Sequence, residues 1–442
     1  MYELFFVIGL TIFTGFLATL VFERTRISQV LLLLFFGFML GPVLHVVDVS
    51  PNSIIVSILP FVATLALIVL LFDAGLMIDV FALARAVPKS LLFTILVFVL
   101  TLVLVMVFMM LLGWPPLHGA LLGAVVGGTS SAIVVAMVQK AKIAKEAKSL
   151  LTLESTITDA LSIIVAVIAI QLILSNQAPT AGAIANLLLS SFSVALLTGA
   201  ACAAAWIYAM GKFSAPKYAY MLTLAMVFSL FAVTEAINAN GGFAVFVFGL
   251  ALGNANEFAK LLRIRREEST TPMIQLFQEE ITFFVRTFFF VYIGLLLSPA
   301  DFTPYVLLVT AVLLILFAVS RWAGARFVLA DFSEKDRNVV ITMLPRGLAA
   351  AVLATMPLSS GISIPAFQQL VFSVILFTNI VATAGIFVFE REKKKGKPKP
   401  EEELTEAVEE TEAEKAEEKT ADEAKEGDGT EKGKEVTPLR AP

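Results

Sequence analysis

Leu153-Glu-Ser-Thr-Ile-Thr-Asp-Ala-Leu-Ser-Ile-Ile164 sets two carboxylates, Glu154 and Asp159, inside a run that is otherwise apolar over about residues 150–173. Crossing the hydrocarbon of a bilayer takes about 20 such residues in a helix. A charge at that depth costs at least ~2.5–3.5 kcal/mol on insertion scales, so a carboxylate retained there needs a reason. Glu154 and Asp159 are five positions apart, about 140° around a helix, so they face different directions and do different jobs. Thr156, Thr158 and Ser162 add hydroxyl oxygens near Asp159, and hard cations take oxygen ligands. The competing role for Asp159 is a buried carboxylate paired with Arg286.

Windows of the same length recur on both sides. Thirteen apolar segments are predicted as helical spans: 3–21, 28–45, 53–72, 90–112, 119–138, 150–173, 183–208, 218–236, 241–256, 274–297, 304–322, 338–357 and 366–389. Segment 28–45, interrupted by Gly41-Pro42, and the short 241–256 are the weakest of them. The 442-residue chain is 58% hydrophobic and only 15% charged, against about 25% charged in soluble domains. That composition argues against a soluble fold, a nucleic-acid binder and a disordered protein. The runs are continuous rather than alternating, which argues against a membrane β-barrel. Cys202 is the single cysteine, so neither an intrachain disulfide nor a Cys-based metal site is expected.

The charge that remains is unevenly placed. Residues 1–390 carry 20 Lys and Arg against 19 Asp and Glu, whereas 391–442 carry 12 against 17. The tail begins Glu390-Arg-Glu-Lys-Lys-Lys and continues as a Glu/Lys/Ala/Thr segment without aromatic residues, too poor in apolar surface to fold alone. Segment 391–442 is therefore expected to be a disordered cytoplasmic tail. In the body, 18 of the 20 basic residues fall in alternate loops, and the other loops carry none. The positive-inside rule then places the N-terminus outside and the C-terminus in the cytoplasm, with an odd number of spans. The N-terminus lacks a basic leader region and a clear small-residue cleavage site, so it is read as the first span.

Two spans are interrupted. The fifth contains Gly127-Gly128-Thr129-Ser130-Ser131, and the twelfth contains Leu344-Pro345-Arg346-Gly347. Small residues can serve close helix packing, or they can mark unwound backbone whose carbonyls and hydroxyls face a cavity. A mid-helix Pro removes a backbone hydrogen bond. The two breaks lie seven spans apart in oppositely directed helices, the pattern of an inverted-repeat secondary transporter with its site at the membrane midplane. The expected fold class is an all-α polytopic membrane protein of 13 transmembrane helices, with broken crossing helices 5 and 12. Other ionisable groups predicted in or near spans are Asp73, Glu279, Glu280, Arg286, Arg321 and Arg346.

Residues 153–164 resemble the sixth-span signature of monovalent cation/proton antiporters, and specifically the NhaP-type sodium/proton exchangers. Leu71-Phe-Asp-Ala-Gly-Leu-Met-Ile-Asp79, Gly128-Thr-Ser-Ser-Ala-Ile-Val134, Thr287-Phe-Phe-Phe-Val-Tyr-Ile-Gly294 and Leu344-Pro-Arg-Gly347 support the resemblance, which covers about residues 1–390. It implies a homodimer in the cell membrane. Residues 1–89 (helices 1–3) and 183–297 (helices 7–10) would form a dimer domain, and 90–173 (helices 4–6) with 304–389 (helices 11–13) a transport domain. It also implies that Asp159 binds either the cation or protons, with Ser155 and Thr129 completing the oxygen shell and Asp73 reaching the site from the dimer domain. Glu154 would be structural, paired with Arg321 or, second, with Arg346. Thr158 stands where this branch usually has Asn and the electrogenic branch has Asp, and Ser130 stands near a carboxylate of some relatives.

The function expected is exchange of Na+ (or Li+) for H+ by alternating access, electroneutral because Thr158 adds no charge. No cofactor is expected; the cation and the proton are substrates, and the partners are the lipid bilayer and a second copy of the chain. The rivals are K+/H+ exchange on the same fold, a sodium-coupled organic anion symporter that uses Arg286 or Arg346 as anchor, and a non-transporting scaffold. His45 and His118 lie in or near outer loops, and no nucleophile–base or metal motif points to an enzyme.

Overall fold

The computed structural model describes residues 2–25, 27–47, 53, 58–80, 88–141, 143–175, 182, 192–212, 218–237, 239–261 and 270–395. Met1–Ile386 form one compact unit and Phe387–Pro442 a second. In the second unit helix is described as far as Lys395, and most of the charged tail lies outside the described residues.

The described residues are helical almost throughout. The helices are α1 (Tyr2–Thr25), α2 (Gln29–Phe38, continued by a π-turn over Met39–Val43), α3 (Leu59–Met77), α4 (Pro88–Leu111), α5 (Pro116–Gly127), α6 (Ser131–Lys140), α7 (Lys145–Leu174) and α8 (Ser193–Lys212). They continue as α9 (Ala219–Ala236), α10 (Gly241–Gly253), α11 (Ala255–Leu261), α12 (Thr270–Leu296), α13 (Pro304–Val328), α14 (Glu334–Thr342), α15 (Leu348–Ser359) and α16 (Phe367–Lys395). Among the described residues nine helices are long and apolar enough to cross a membrane, and three shorter apolar ones cover Gln29–Val43, Gly241–Gly253 and Leu348–Ser359. Each of the thirteen predicted segments contains one or two of these helices; residues 183–191 of the seventh fall outside the described residues. The tenth, α12, is 27 residues long but carries three charges, Glu279, Glu280 and Arg286, and is not among the nine.

Boundaries differ from expectation where apolarity and helicity part company. The third predicted segment stops at residue 72, yet α3 runs to Met77, so Asp73 sits inside a helix rather than after one. α7 starts at Lys145, with Glu146 in its first turn, where a carboxylate favours the positive end of the helix dipole. A hydropathy window misses the second extension because Lys145, Glu146, Lys148 and Ser149 are polar or charged, and it stops the first at the single charge of Asp73.

Packing divides the helices into two sets. α3 packs on α10, α2 on α12, and α8 and α9 on α10, whereas α5 lies between α4 and α7 and α13 packs on α4. The sets meet where α3 touches α7 and α15, and where α12 touches α15. Gly37 of α2 and Gly294 of α12 lie face to face, so a Cβ on either would collide with the opposite backbone. Close approach through small residues is how helices gain contact when lipid supplies no hydrophobic drive. Large apolar side chains such as Phe13, Phe16, Leu111, Leu308 and Phe327 point outward, as a bilayer-facing surface requires.

Candidate functional site

The site is built where two helices fail. α5 ends at Gly127, Gly128 to Ser130 are extended, and α6 restarts at Ser131. On the other side α14 ends at Thr342, residues 343–347 are non-helical, and α15 restarts at Leu348. The two breaks touch: Ser130 N donates to the Pro345 carbonyl at 2.9 Å. Gly347 lies against the Ser130 side chain so closely that a Cβ there would displace it.

A broken helix exposes carbonyls at one end and N–H groups at the other. Here each carbonyl end meets a guanidinium. Arg346 Nε donates to Val126 O near the end of α5 at 2.6 Å, and its Nη1 to Leu344 O at 3.1 Å. Arg321 Nε donates to Val340 O near the end of α14 at 2.9 Å. Cations suit these negative dipole ends. Arg321 is also held by both oxygens of Glu154, at 2.5 and 2.9 Å, with both side chains 2% exposed. The Phe317 ring lies 4.6 Å from the Arg346 guanidinium. Asn379 Nδ2 donates to Arg346 O at 2.8 Å, and Thr378 Oγ1 accepts from Arg346 N at 3.2 Å, so α16 fixes the second break.

The N–H end of α6 meets a carboxylate instead. Asp159 Oδ2 accepts from Ser131 N at 3.1 Å and from Ser131 Oγ at 2.7 Å. Ser130, the residue before α6, makes no side-chain cap of its own; Asp159 supplies that cap from another helix, the arrangement that favours anions at helix N-termini. Among the described residues nothing donates to Asp159 Oδ1. Asp159 and Ser131 line a cavity of about 600 Å³, whose wall also includes Asp73, Thr156, Thr282 and Arg286. Met77, Gln139, Thr152 and Glu279 line it as well. Leu348 and Ala349, at the start of α15, line it too.

The structure treats the predicted site residues differently. Asp159 and Asp73 share the cavity, and Asp73 Oδ1 is buried without a hydrogen-bond partner. Thr129 is buried; its N donates to Thr158 Oγ1 at 3.1 Å, while its own Oγ1 has no partner. Thr158 thereby braces the first break from α7. Ser155 is buried and spends its hydroxyl on Thr152 O, at 3.0 Å within its own helix. Glu154 and Arg321 are brought together, and Arg346 serves the break rather than Glu154. Asp159 is not ion-paired to Arg286. Ser131 is the residue that the sequence reading missed; the one signal for it is that it opens the helix restarting after the break.

Two interrupted helices meeting beside Asp159, within an all-helical membrane fold, are the arrangement of a secondary transporter. Residues 9–390 match the family described as "Sodium/hydrogen exchanger, transmembrane", and the chain belongs to that family. It is 23% identical over 387 residues to the "Probable Na(+)/H(+) antiporter 2" of Methanocaldococcus jannaschii, a match covering 79% of this chain and 85% of that protein. It is 24% identical to the "Low-affinity Na(+)/H(+) antiporter NhaS1" of Synechocystis sp., over 59% of this chain and 51% of that protein. It is 25% identical to the "K(+)/H(+) antiporter NhaP2" of Shewanella sp. (strain ANA-3), over 61% of this chain and 46% of that protein. The match thus spans about half the length of these last two relatives. The structure of the sodium proton antiporter MjNhaP1 from Methanocaldococcus jannaschii at pH 8 shares the fold, with a TM-score of 0.70 at 21% identity over 88% of this chain and 98% of that one.

Proposed function

We propose that this chain exchanges Na+ for H+ across the cell membrane by alternating access, with Asp159 as the exchanging group. The observation that carries this is the asymmetry of the Asp159 carboxylate: Oδ2 is held by two donors from Ser131, and among the described residues none donates to Oδ1. A proton or a cation arriving through the cavity meets the same open oxygen, so each excludes the other. A bare carboxylate carries the full burial penalty, which disfavours movement of the empty site and prevents leak. Thr158, beside Asp159, adds no charge. The exchanging group then carries one negative charge, to be neutralised by one Na+ or one H+. Exchange is then electroneutral.

The cavity belongs to an inward-facing state if the N-terminus lies outside and the C-terminus in the cytoplasm, the orientation we adopt from the loop charges. The helix set of α4–α7 and α13–α16 acts as the transport domain. The set of α1–α3, α8–α10 and α12 acts as the dimer domain of a homodimer. The separate packing of these sets supports that division. Asp73 comes from the dimer set, so the cavity lies on the surface between the parts that would move.

The test is cation-dependent proton flux in proteoliposomes with Na+, Li+ and K+. Asp159→Asn keeps the shape of the site and removes its charge, and should abolish flux with every ion. Retained flux in that variant would sink the assignment, and a clear preference for K+ would move the chain to K+/H+ exchange.

A further inference from the structure

We infer that the Ser131 hydroxyl is itself a ligand of the transported cation and sets the preference for small ions. The inference deepens the antiporter role proposed above and depends on it. The hydroxyls near Asp159 are committed differently. Ser155 Oγ is buried and donates to Thr152 O, and Thr156 Oγ1 donates to the same carbonyl. Thr158 Oγ1 is occupied by Thr129 N. Thr129 Oγ1 is buried without a partner and does not line the cavity. Ser131 Oγ alone both lines the cavity and touches the carboxylate, at 2.7 Å.

Its hydrogen-bond inventory gives the direction. A serine hydroxyl has one proton and two lone pairs. The proton is spent on Asp159 Oδ2, so toward the cavity Ser131 presents lone pairs, the half of a hydroxyl that a cation needs. Donation to a carboxylate also polarises the oxygen and makes it a better ligand. An ion seated on the open Oδ1 edge therefore meets a second fixed oxygen supplied by α6. The hydrogen bond at 2.7 Å fixes the Ser131 hydroxyl against the carboxylate as one compact, rigid oxygen set, and cavity size and ligand flexibility decide which ion such a set prefers. The larger K+ fits a compact set less well. Protonation leaves this arrangement standing, because the proton goes to Oδ1 while Oδ2 keeps both donors. Ser131 thus holds the carboxylate in one orientation through both loaded states.

The experiment measures KM and maximal rate for Na+, Li+ and K+ in proteoliposomes of the full chain, comparing wild type with Ser131→Ala, Ser131→Thr and Ser131→Pro. Ser131→Ala keeps the backbone N–H and should raise the KM for Na+ and Li+ about tenfold, change K+ less, and leave the maximal rate within about twofold. Ser131→Thr restores the hydroxyl and should restore the small-ion preference. Proline is tolerated at the first residue of a helix, and Ser130 already has φ −74° and ψ 117°, which a following proline requires. Ser131→Pro therefore removes the N–H as well and should weaken Na+ further. If Ser131→Ala transports poorly, the Na+-induced rise in melting temperature reports binding without transport, and it should shrink in that variant and return with threonine. Wild-type KM and ion preference in Ser131→Ala, or a threonine variant as impaired as alanine, would overturn the ligand role. A wild-type chain without any cation-dependent proton flux would instead overturn the antiporter reading.

Discussion

Arg346 Nε donates to Val126 O at 2.6 Å, so the side chain of one break closes the carbonyl end of the helix broken at the other. Arg321 does the same for α14 through Val340 O, at 2.9 Å. The two guanidiniums are the fixed countercharges of the two breaks. Glu154 then has a permanent partner in Arg321, while Asp159, only five positions later, has hydroxyl and amide donors alone. That difference decides which carboxylate is free to exchange ligands. A carboxylate locked to a guanidinium cannot release its partner at each cycle, and one held by neutral donors can.

Glu154→Gln should therefore act on stability and not on ion binding. It leaves Arg321 buried beside a neutral amide, and stranding one member of a buried pair costs about 3–5 kcal/mol. The expected result is a large fall in melting temperature and in folded yield, with the Na+ KM of the surviving protein unchanged. Glu154→Met with Arg321→Met should lose less than the two single changes together. Thermal unfolding in detergent reads both, and strict additivity would contradict the pairing.

Arg346→Lys keeps the charge but loses the planar fork that reaches Val126 O and Leu344 O together. The two breaks would be less firmly joined, without any change to Asp159 or Ser131. We expect the maximal rate to fall more than tenfold, given about 1.5–3 kcal/mol per charge-assisted bond, while the Na+-induced thermal shift persists. A variant that lost the thermal shift as well would place Arg346 in the ion site.

Most of the helices were legible because a bilayer fixes their length: apolar windows of about 20 residues found them, to within a few residues. Gly127-Gly128 and Pro345 marked both breaks for the same local reason, backbone that does not hold a helix. What escaped was pairing between the breaks. Nothing local says that Arg346 reaches Val126, or that Ser131 rather than Ser155 touches Asp159; both depend on how two distant half-helices are set against each other. Ser155 entered the expected oxygen shell through the family resemblance alone. Its hydroxyl instead bonds back to the preceding turn, a habit of serine in helices.

Asp73→Asn tests the second carboxylate in the cavity. Removing its carboxylate makes the cavity less negative, so it should attract cations less well. The Na+ KM should rise severalfold with exchange still one for one. An unchanged affinity would remove Asp73 from the site and leave it a structural group of α3.

The last expectation follows from both substrates using Asp159 Oδ1. If proton and Na+ compete for one oxygen, the apparent Na+ KM must rise about tenfold for each pH unit once the medium is acid enough for the proton to dominate, and must level off above that range. The maximal rate at saturating Na+ should change far less over the same interval, so adding Na+ moves the acid limb of the activity curve to lower pH. The alkaline limb behaves differently, because there the counter-substrate itself becomes scarce and more Na+ does not restore the rate. A plot of log KM against pH with a slope near −1 is the signature of one proton displaced per cation. A slope near −2 would bring in a second carboxylate, with Asp73 and Glu279 the candidates in the cavity. One-for-one exchange also carries no net charge, so clamping the membrane potential with K+ and an ionophore should leave the Na+-driven rate unchanged. A rate that follows the potential would mean that the exchanging site carries more than the single charge of Asp159.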